Sequence, residues 1–342
     1  STNRGFLMPR MTTAQRDSIV SPAVGLQIFN LDDHCTDLYD GTNWIKTCGL
    51  KVVGTATDPS HPATNSWSRK ADFGGLARRG AVGFSIGNKG YLGTGFTGVV
   101  GILNLPVFTN DFWEYDPANN SWTQKASVGG LPREGAVGFS IGNKGYVGTG
   151  EVRLSQVEYG KSRDFWEYDP VTNSWTKKAD FGGTARQGAV GFSIGKKGYI
   201  GTGNDGNPTR DFWEYDSDSD TWTAKAAFGG SPRSAAVGFS IAGKGYIGTG
   251  NDGGLKNDFW EYDPGNNSWV QKANFGGPAI DKGSGFSIGG KGYIGAGFAG
   301  FTNFLATITP EFWEFNPATN TWQKKADFPS SQRHGTTGFS IG

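Results

Sequence analysis

The stretch GAVGFSIGKKGYIGTGNDGNPTRDFWEYDSDSDTWTAK, residues 188–225, holds one complete unit of the pattern that fills most of the chain. Residues 188–194 are small and apolar, as a strand crowded by close neighbours would be. Residues 195–198, Gly-Lys-Lys-Gly, read as a tight turn. Residues 199–203 form a second strand that ends in glycines, and a loop spans residues 204–210. Residues 211–216, DFWEYD, alternate aromatics with acids, the period of a pleated strand with two unlike faces. Residues 217–220 are a polar turn, and residues 221–225 a fourth strand. Four short antiparallel strands of rising polarity make one sheet.

The unit recurs. DFWEYD begins at Asp111, Asp164, Asp211 and Asp258, and returns as EFWEFN at Glu311. GFSI begins at Gly83, Gly138, Gly191, Gly238, Gly285 and Gly338. Trp67, Trp122, Trp175, Trp222, Trp269 and Trp322 are spaced by 55, 53, 47, 47 and 53 residues. A period near 50 with aromatics and glycines in fixed places predicts an all-β fold, a β-propeller. Complete units start near Arg78, Arg133, Arg186, Arg233 and Asp281. A lone outer strand at 65–71 and a lone inner strand at 333–342 supply the last and first quarters of one further blade. The expectation is therefore six blades rather than seven, with the sixth shared between the two ends of the sequence. Two readings stand for its missing middle. Residues 25–48 supply it, within the chain or in a neighbour, since CTDLYDGTNW (35–44) echoes DFWEYDPVTNSW (164–175). Alternatively, the natural chain runs on past Gly342.

Composition bounds the function. The 342 residues include 56 glycines, about twice the usual share, and 14% aromatics. The first supplies turns and close backbone approaches, the second large buried surfaces. A net charge of +1 excludes a bulk field that attracts nucleic acid. No apolar run has the length of a membrane helix. No signal peptide precedes Ser1, so a processed N-terminus is expected. The only cysteines, Cys35 and Cys48, flank a predicted hairpin; a disulfide there would fit an extracellular compartment, and two free thiols are the alternative.

The repeat resembles the kelch family over residues 65–342. The resemblance rests on the paired glycines after the second strand (Gly93 and Gly95, Gly148 and Gly150, Gly201 and Gly203), on Tyr115, Tyr168, Tyr215 and Tyr262, and on the tryptophan seven residues on. Arg133, Arg186 and Arg233 match the family's arginine before the inner strand. A GTG sequence replaces the usual adjacent glycine pair. Kelch-type sialate mutarotases imply one use of Arg78, Arg133, Arg186, Arg233 and Arg333 as ligand-facing groups for an anionic sugar at the channel mouth; blade packing is the competing reading. Kelch-type copper-radical oxidases need a Cys cross-linked to Tyr, and both cysteines lie outside the repeats.

Residues 1–50 form a separate N-terminal segment, with a short helix predicted at 13–20 capped by Thr12 or Thr13, and a hairpin at 25–48. Residues 51–64 read as a linker. GFLMPRMTTAQRD, SPAVGLQIFN and YDGTNW resemble a module of bacterial cell-surface and phage tail-fibre-like proteins. That resemblance implies an extracellular, multi-subunit setting.

Candidate contact residues are Phe6, Leu7, Ile28, Phe29, Tyr39 and Trp44 in the N-terminal segment. In the long apolar loops they are Val99, Val100, Ile102, Leu103, Phe108, Phe301, Phe304 and Leu305. These loops follow the second strands of the first and fifth blades, so one arc of one face is built up, and exposed apolar loops mark contact surfaces. The repeated lysines Lys125, Lys178, Lys225, Lys272 and Lys325 on the fourth strands read as guards against strand addition at an open edge. Only His34, His61 and His334 are present, none at a repeated position, and no Ser-His-Asp set or metal-spaced cluster appears. The expectation is a non-enzymatic extracellular scaffold, a fibre head, adhesin or filament subunit, without cofactor or metal. Its partners would be proteins, copies of itself or surface glycans. The alternative is a propeller that binds or isomerises a carbohydrate at the channel mouth.

Overall fold

The computed structural model describes residues 10–23, 26–30, 35–39, 42–47, 65–101, 104–155, 158–302, 304–329 and 333–341. The chain divides into two compact units, Ser1–Asn65 and Ser66–Gly342.

The first unit is a four-stranded sheet with one short helix. Arg10–Met11 pairs in parallel with Gln27–Asn30, which pairs antiparallel with Cys35–Tyr39, which in turn pairs with Trp44–Thr47. The helix Thr13–Asp17 begins with a capping box: Thr12 Oγ1 accepts the Gln15 amide at 3.2 Å, and the Gln15 side chain accepts the Thr12 amide at 2.9 Å. It ends sooner than the predicted 13–20, because the Ser18 amide closes the last turn on Ala14 and Ser21 turns left-handed at φ 53°. Asn30 is fully buried and its amide donates to Thr13 Oγ1 at 3.0 Å, tying helix to sheet. Residues 25–48, one of the two sources read for the missing middle of blade 6, form strands that hydrogen-bond to one another, with Arg10–Met11 on the far side of Gln27–Asn30. Ile28, expected at a contact surface, is fully buried inside this unit. Tyr39 and Trp44 are half-buried, with ring centroids 5.3 Å apart. Phe6, Leu7 and Cys48 lie outside the described residues, as do the side chains of Phe29 and Cys35.

The second unit is a six-bladed β-propeller. Blade 1 contains Val82–Ile86, Lys89–Gly93, Phe112–Asp116 and Ser121–Lys125, each strand antiparallel to the next. Blade 2 contains Val137–Ile141, Lys144–Gly148, Phe165–Asp169 and Ser174–Lys178. Blade 3 runs through Val190–Ile194, Lys197–Gly201, Phe212–Asp216 and Thr221–Lys225; blade 4 through Val237–Ile241, Lys244–Gly248, Phe259–Asp263 and Ser268–Lys272. In blade 5 the middle strands are long, Lys291–Thr302 and Leu305–Asn316, between Ser284–Ile288 and Thr321–Lys325.

Two rings of hydrogen bonds close the circle. Near the axis, the amide of Gly135 donates to the carbonyl of Gly80, Gly188 to Gly135, Ala235 to Gly188, Lys282 to Ala235, Gly335 to Lys282, and Gly80 back to Gly335, at 2.8–2.9 Å. All six residues are left-handed, with φ between 53° and 65°, which is why four of them are glycine. At the rim, each outer-strand indole donates to an alanine carbonyl of the preceding blade: Trp122 to Ala71, Trp175 to Ala126, Trp222 to Ala179, Trp269 to Ala226, Trp322 to Ala273, and Trp67 to Ala326. Residues 336–341 and 66–71 thus hold the inner and outer places of a sixth blade, without forming regular strands.

Between blades the core is aromatic. Phe84 packs where a Cβ on Gly145 would fall 2.4 Å from its ring, so the glycine of one blade makes room for the phenylalanine of the previous one. Phe112 meets Tyr168 at 4.9 Å and Trp175 at 5.0 Å edge-on, a pattern repeated by Phe165, Phe212 and Phe259. Such pairs contribute about 0.5–1.5 kcal/mol each beyond their buried area. The fourth-strand lysines are not free edge guards. Lys125, Lys178, Lys225, Lys272 and Lys325 each pair with the third-strand glutamate, at 3.0–3.9 Å, and in each blade that glutamate also accepts a tyrosine hydroxyl from the second strand.

Candidate functional site

The repeated arginines do not face a ligand. Arg133, Arg186 and Arg233 are at most 1% exposed, and the Arg78 side chain is nearly as buried. Each makes a two-pronged pair with the aspartate immediately before its blade's third strand: Arg78 with Asp111, Arg133 with Asp164, Arg186 with Asp211, Arg233 with Asp258, at 2.5–2.8 Å. Each also donates to the carbonyl of the threonine in GTG. Burial would raise the Asp111 carboxyl, but hydrogen bonds from Arg78, Thr109 and Trp113 and the Arg78 charge outweigh it and hold it down at about 2. Arg333 is exposed and stands outside this pattern. Of the two readings of these arginines, blade packing is the one that Arg78, Arg133, Arg186 and Arg233 follow, and the ligand-facing reading does not fit them: backbone alternation turns them into the blade.

The same alternation turns the following residue the other way. That position holds Arg79, Glu134, Gln187, Ser234, Asp281 and His334, six different side chains at equivalent places around one mouth. Each of the first five is fixed by backbone pairing to the residue after its blade's second strand: Arg79 to Phe96, Glu134 to Glu151, Gln187 to Asn204, Ser234 to Asn251, Asp281 to Phe298. A cavity of about 480 Å³ lies here, lined by Arg79, Glu134, Glu151, Gln187, Asn204, Ser234, Asn251, Asp281 and Lys282 over the axial glycines and alanines.

The lining is polar and unevenly charged. Arg79 lies over the Phe96 ring at 4.3 Å and approaches Glu134 Oε2 at 3.8 Å. Burial pushes the Glu134 carboxyl above the usual range; the neighbouring Glu151 adds to this, while Arg79 and Lys282 oppose it. Burial, Lys282 and Arg79 together lower His334, against the pull of Asp281, so its imidazole is neutral at pH 7. Asp281 is 7% exposed; its Oδ2 accepts from Asn251 at 3.2 Å, while its Oδ1 is buried without a partner among the described residues, as is His334 Nδ1. The arrangement joins a carboxyl raised by burial, a second carboxyl and two cations, with the His334 imidazole nearby.

The long loops rise from the same side of the blades. Val99, Val100, Phe301, Phe304 and Leu305 are 51–100% exposed at the tips of the blade 1 and blade 5 hairpins. Phe108, expected with them, is buried at 8% because its ring packs on Tyr159 of blade 2 at 5.7 Å. Ile102 and Leu103 lie outside the described residues. Among the described residues no cluster of three or more metal-binding side chains occurs. Likewise no helix there is long and apolar enough to cross a membrane.

Residues 1–64 match a family described as "Phage tail like trimerisation region". Over 78 residues the chain is 36% identical to an N-acetylneuraminate epimerase of Yersinia enterocolitica, a match that covers 22% of this chain and 19% of that relative. The chain thus spans about a fifth of the length of this curated relative. A solved structure titled "Structure of YjhT" superposes with a TM-score of 0.65 at 18% identity, over 77% of this chain and 88% of the other. The superposition shows the fold. The epimerase match overturns the expectation that the chain has no enzymatic role. That expectation rested on the absence of catalytic triads and of histidines at repeated positions.

Proposed function

We propose that this protein is a trimeric, fibre-like carrier of a kelch-type propeller that binds an acidic sugar in the channel mouth and opens and closes its ring at the anomeric carbon. The observation that carries the reading is that five unlike residues at one repeat position, Arg79, Glu134, Gln187, Ser234 and Asp281, line one cavity. Its volume falls within the roughly 300–1,000 Å³ typical of small-molecule sites. Lys282 and Arg79 offer cations to a sugar carboxylate, while Gln187, Asn204, Ser234 and Asn251 offer neutral donors and acceptors to hydroxyl or acylamino groups.

Ring opening needs two coupled proton transfers. A base takes the proton of the anomeric hydroxyl as its oxygen becomes a carbonyl. The bond from the anomeric carbon to the ring oxygen breaks, and an acid protonates that oxygen. Glu134, whose carboxyl burial raises, is the proposed acid, and Glu151 and the nearby His334 are the proposed proton acceptors. Closure on the other face of the carbonyl reverses the transfers and yields the second anomer, with no net consumption of protons.

The family match over residues 1–64 supports the trimeric half of the reading, and the resemblance to phage tail-fibre-like modules supports a setting outside the cell. Exchange between the anomers of N-acetylneuraminate, followed by proton NMR, tests the chemical half. The protein should speed the exchange, and Glu134→Gln should slow the catalysed rate by about 10²-fold or more. Unchanged exchange together with unshifted sugar resonances would sink it. Light scattering tests the other half: the full chain should give three times 36.5 kDa, and a chain lacking residues 1–65 a single propeller.

A further inference from the structure

Two loops at the mouth share most of their sequence, Asn204-Asp205-Gly206-Asn207 in blade 3 and Asn251-Asp252-Gly253-Gly254 in blade 4. In each, the asparagine side chain closes a turn on its own backbone. Asn204 Oδ1 accepts the Gly206 amide at 3.0 Å, and Asn251 Oδ1 accepts the Gly253 amide at 2.9 Å. The aspartate that follows is tied down as well, Asp205 by the Thr184 hydroxyl at 2.7 Å and Asp252 by the Lys256 ammonium at 2.8 Å. With its oxygen held by the loop, each side-chain amide has one orientation and turns its N–H groups to other partners. Both asparagines line the cavity.

The next blade answers the two amides differently. After Asn204, blade 4 carries Ser234; after Asn251, blade 5 carries Asp281 at the equivalent place. Asn251 Nδ2 donates to Asp281 Oδ2 at 3.2 Å, and the Asp281 backbone is clamped to Phe298 by two hydrogen bonds of 3.0 Å. Main chain and carboxylate are therefore both fixed. Asp281 is 7% exposed and lines the cavity, and its Oδ1 has no partner among the described residues. A buried carboxylate oxygen held in place beside a cavity is a ready acceptor for a donor on a ligand. Blade 5 is three blades on from blade 2 in a circle of six, so Asp281 stands across the mouth from Glu134 and Glu151.

We propose that Asp281 and Asn251 form a subsite for two neighbouring hydroxyls, and that it holds the open-chain polyol tail of the acidic sugar; this rests on the reading of the mouth as a sugar site. A hydroxyl both donates and accepts. One hydroxyl of the pair donates to Asp281 Oδ1. The other accepts from the second Nδ2 hydrogen of Asn251, whose first is held by Asp281 Oδ2. A ligand carboxylate has no proton to give and is repelled here, so the acid end of the sugar turns the other way. There Arg79 lies 3.8 Å from Glu134. In N-acetylneuraminate the carboxylate is borne on the anomeric carbon, and the tail leaves the ring from beyond the ring oxygen. One orientation therefore sets the carboxylate near Arg79, the anomeric carbon near Glu134 and Glu151, and the tail on Asp281 and Asn251.

Calorimetric titration of the full-length protein with two sugars tests this: N-acetylneuraminate, and the same sugar with its three-carbon tail shortened to a hydroxymethyl group. The native protein should bind the intact sugar about tenfold or more tighter, because the shortened one leaves groups built for a hydroxyl unpaired. Asp281→Asn puts an N–H donor where Oδ1 was, since its remaining oxygen stays with Asn251. It should bring the two affinities within about twofold of each other while binding of the shortened sugar stays the same. Asp281→Ser, which copies what blade 4 carries at this place, should do likewise, and melting temperatures check that each variant folds. Equal affinities in the native protein, or a preference that survives both substitutions, overturns the subsite and leaves the mouth a sugar site. If neither sugar binds, the reading of the mouth falls and the subsite falls with it.

Discussion

Asp164→Ala should be among the most damaging single substitutions in the propeller. Arg133 is fully buried, and its guanidinium donates to Asp164 Oδ1 at 2.5 Å and Oδ2 at 2.7 Å, and to the carbonyls of Leu131 and Thr149 at 3.0 Å. Removing the carboxylate leaves three carbonyls, that of Gly129 at 3.4 Å being the third, and no counter-charge for a cation that cannot lose its proton. Breaking a buried pair from one side costs about 3–5 kcal/mol, against about 1 kcal/mol or less for an exposed pair. Blade 5 shows a tolerated alternative. There Ile280 replaces the arginine and is fully buried, and Glu311 replaces the aspartate, reaching Lys324 at 2.8 Å and the Trp313 indole at 3.0 Å. The local backbone is unchanged: Gly250 donates to the Ile280 carbonyl at 2.7 Å, as Gly95 does to that of Arg133. Blade 2 already holds the needed lysine, since Lys177 lies opposite Trp166 as Lys324 lies opposite Trp313. The double substitution Arg133→Ile with Asp164→Glu should therefore recover most of the stability lost in Asp164→Ala. Urea unfolding of the chain lacking residues 1–65, with all three variants compared, makes the measurement. A loss below about 1 kcal/mol for Asp164→Ala, or a double variant no better than the single, would refute the reasoning.

Two further outcomes follow from the same geometry. The native carboxyls of Asp111, Asp164, Asp211 and Asp258 all lie below their ordinary value, opposed by burial and carried down by their arginines. A depressed native value gives stability that is present above the unfolded value and lost as pH falls through the native one, so urea midpoints should drop between pH about 4 and about 2, where Asp111 titrates; flat midpoints across that window would contradict the pairing. In the axial ring, Gly135→Ala should destabilise by about 1 kcal/mol because φ is 61°, while Ala235→Gly, at φ 55°, should change stability far less or raise it. Equal losses in both would show that conformation at the ring is not what selects glycine.

The blade was legible because its determinants are periodic. A glycine that makes room for the preceding blade's Phe, an indole that reaches back to an alanine carbonyl, and a Tyr-Glu-Lys row across three strands must recur wherever a blade meets a blade. The expected count of six rested on Trp67 and on the GFSI at Gly338, and the two hydrogen-bond rings close through those segments. In residues 25–48, Tyr39-Asp40 and Trp44 copy the wording of a blade, while Arg10–Met11 supplies a pairing partner that no echo announces. The lysines misled for a related reason: a repeated charge on an outer strand reads as solvation until its cross-strand glutamate is seen.

The proposed site lies one residue along from the repeated arginines. Regularity drew attention to the arginines before each inner strand, and proximity to the mouth made them candidates for a ligand. In an extended backbone neighbouring side chains point to opposite sides, so a residue repeated to satisfy the blade's aspartate leaves its neighbour aimed at the channel. That neighbour is released from the repeat, since no equivalent partner in the next blade constrains it. Arg, Glu, Gln, Ser, Asp and His at a single repeat position are what such release produces. A repeat protein of this kind carries its chemistry where one column varies beside a column that does not. The test is direct: Gln187→Ala and Ser234→Ala should leave urea stability within about 0.5 kcal/mol while altering sugar resonances, whereas Arg186→Ala should do the reverse and unfold the blade.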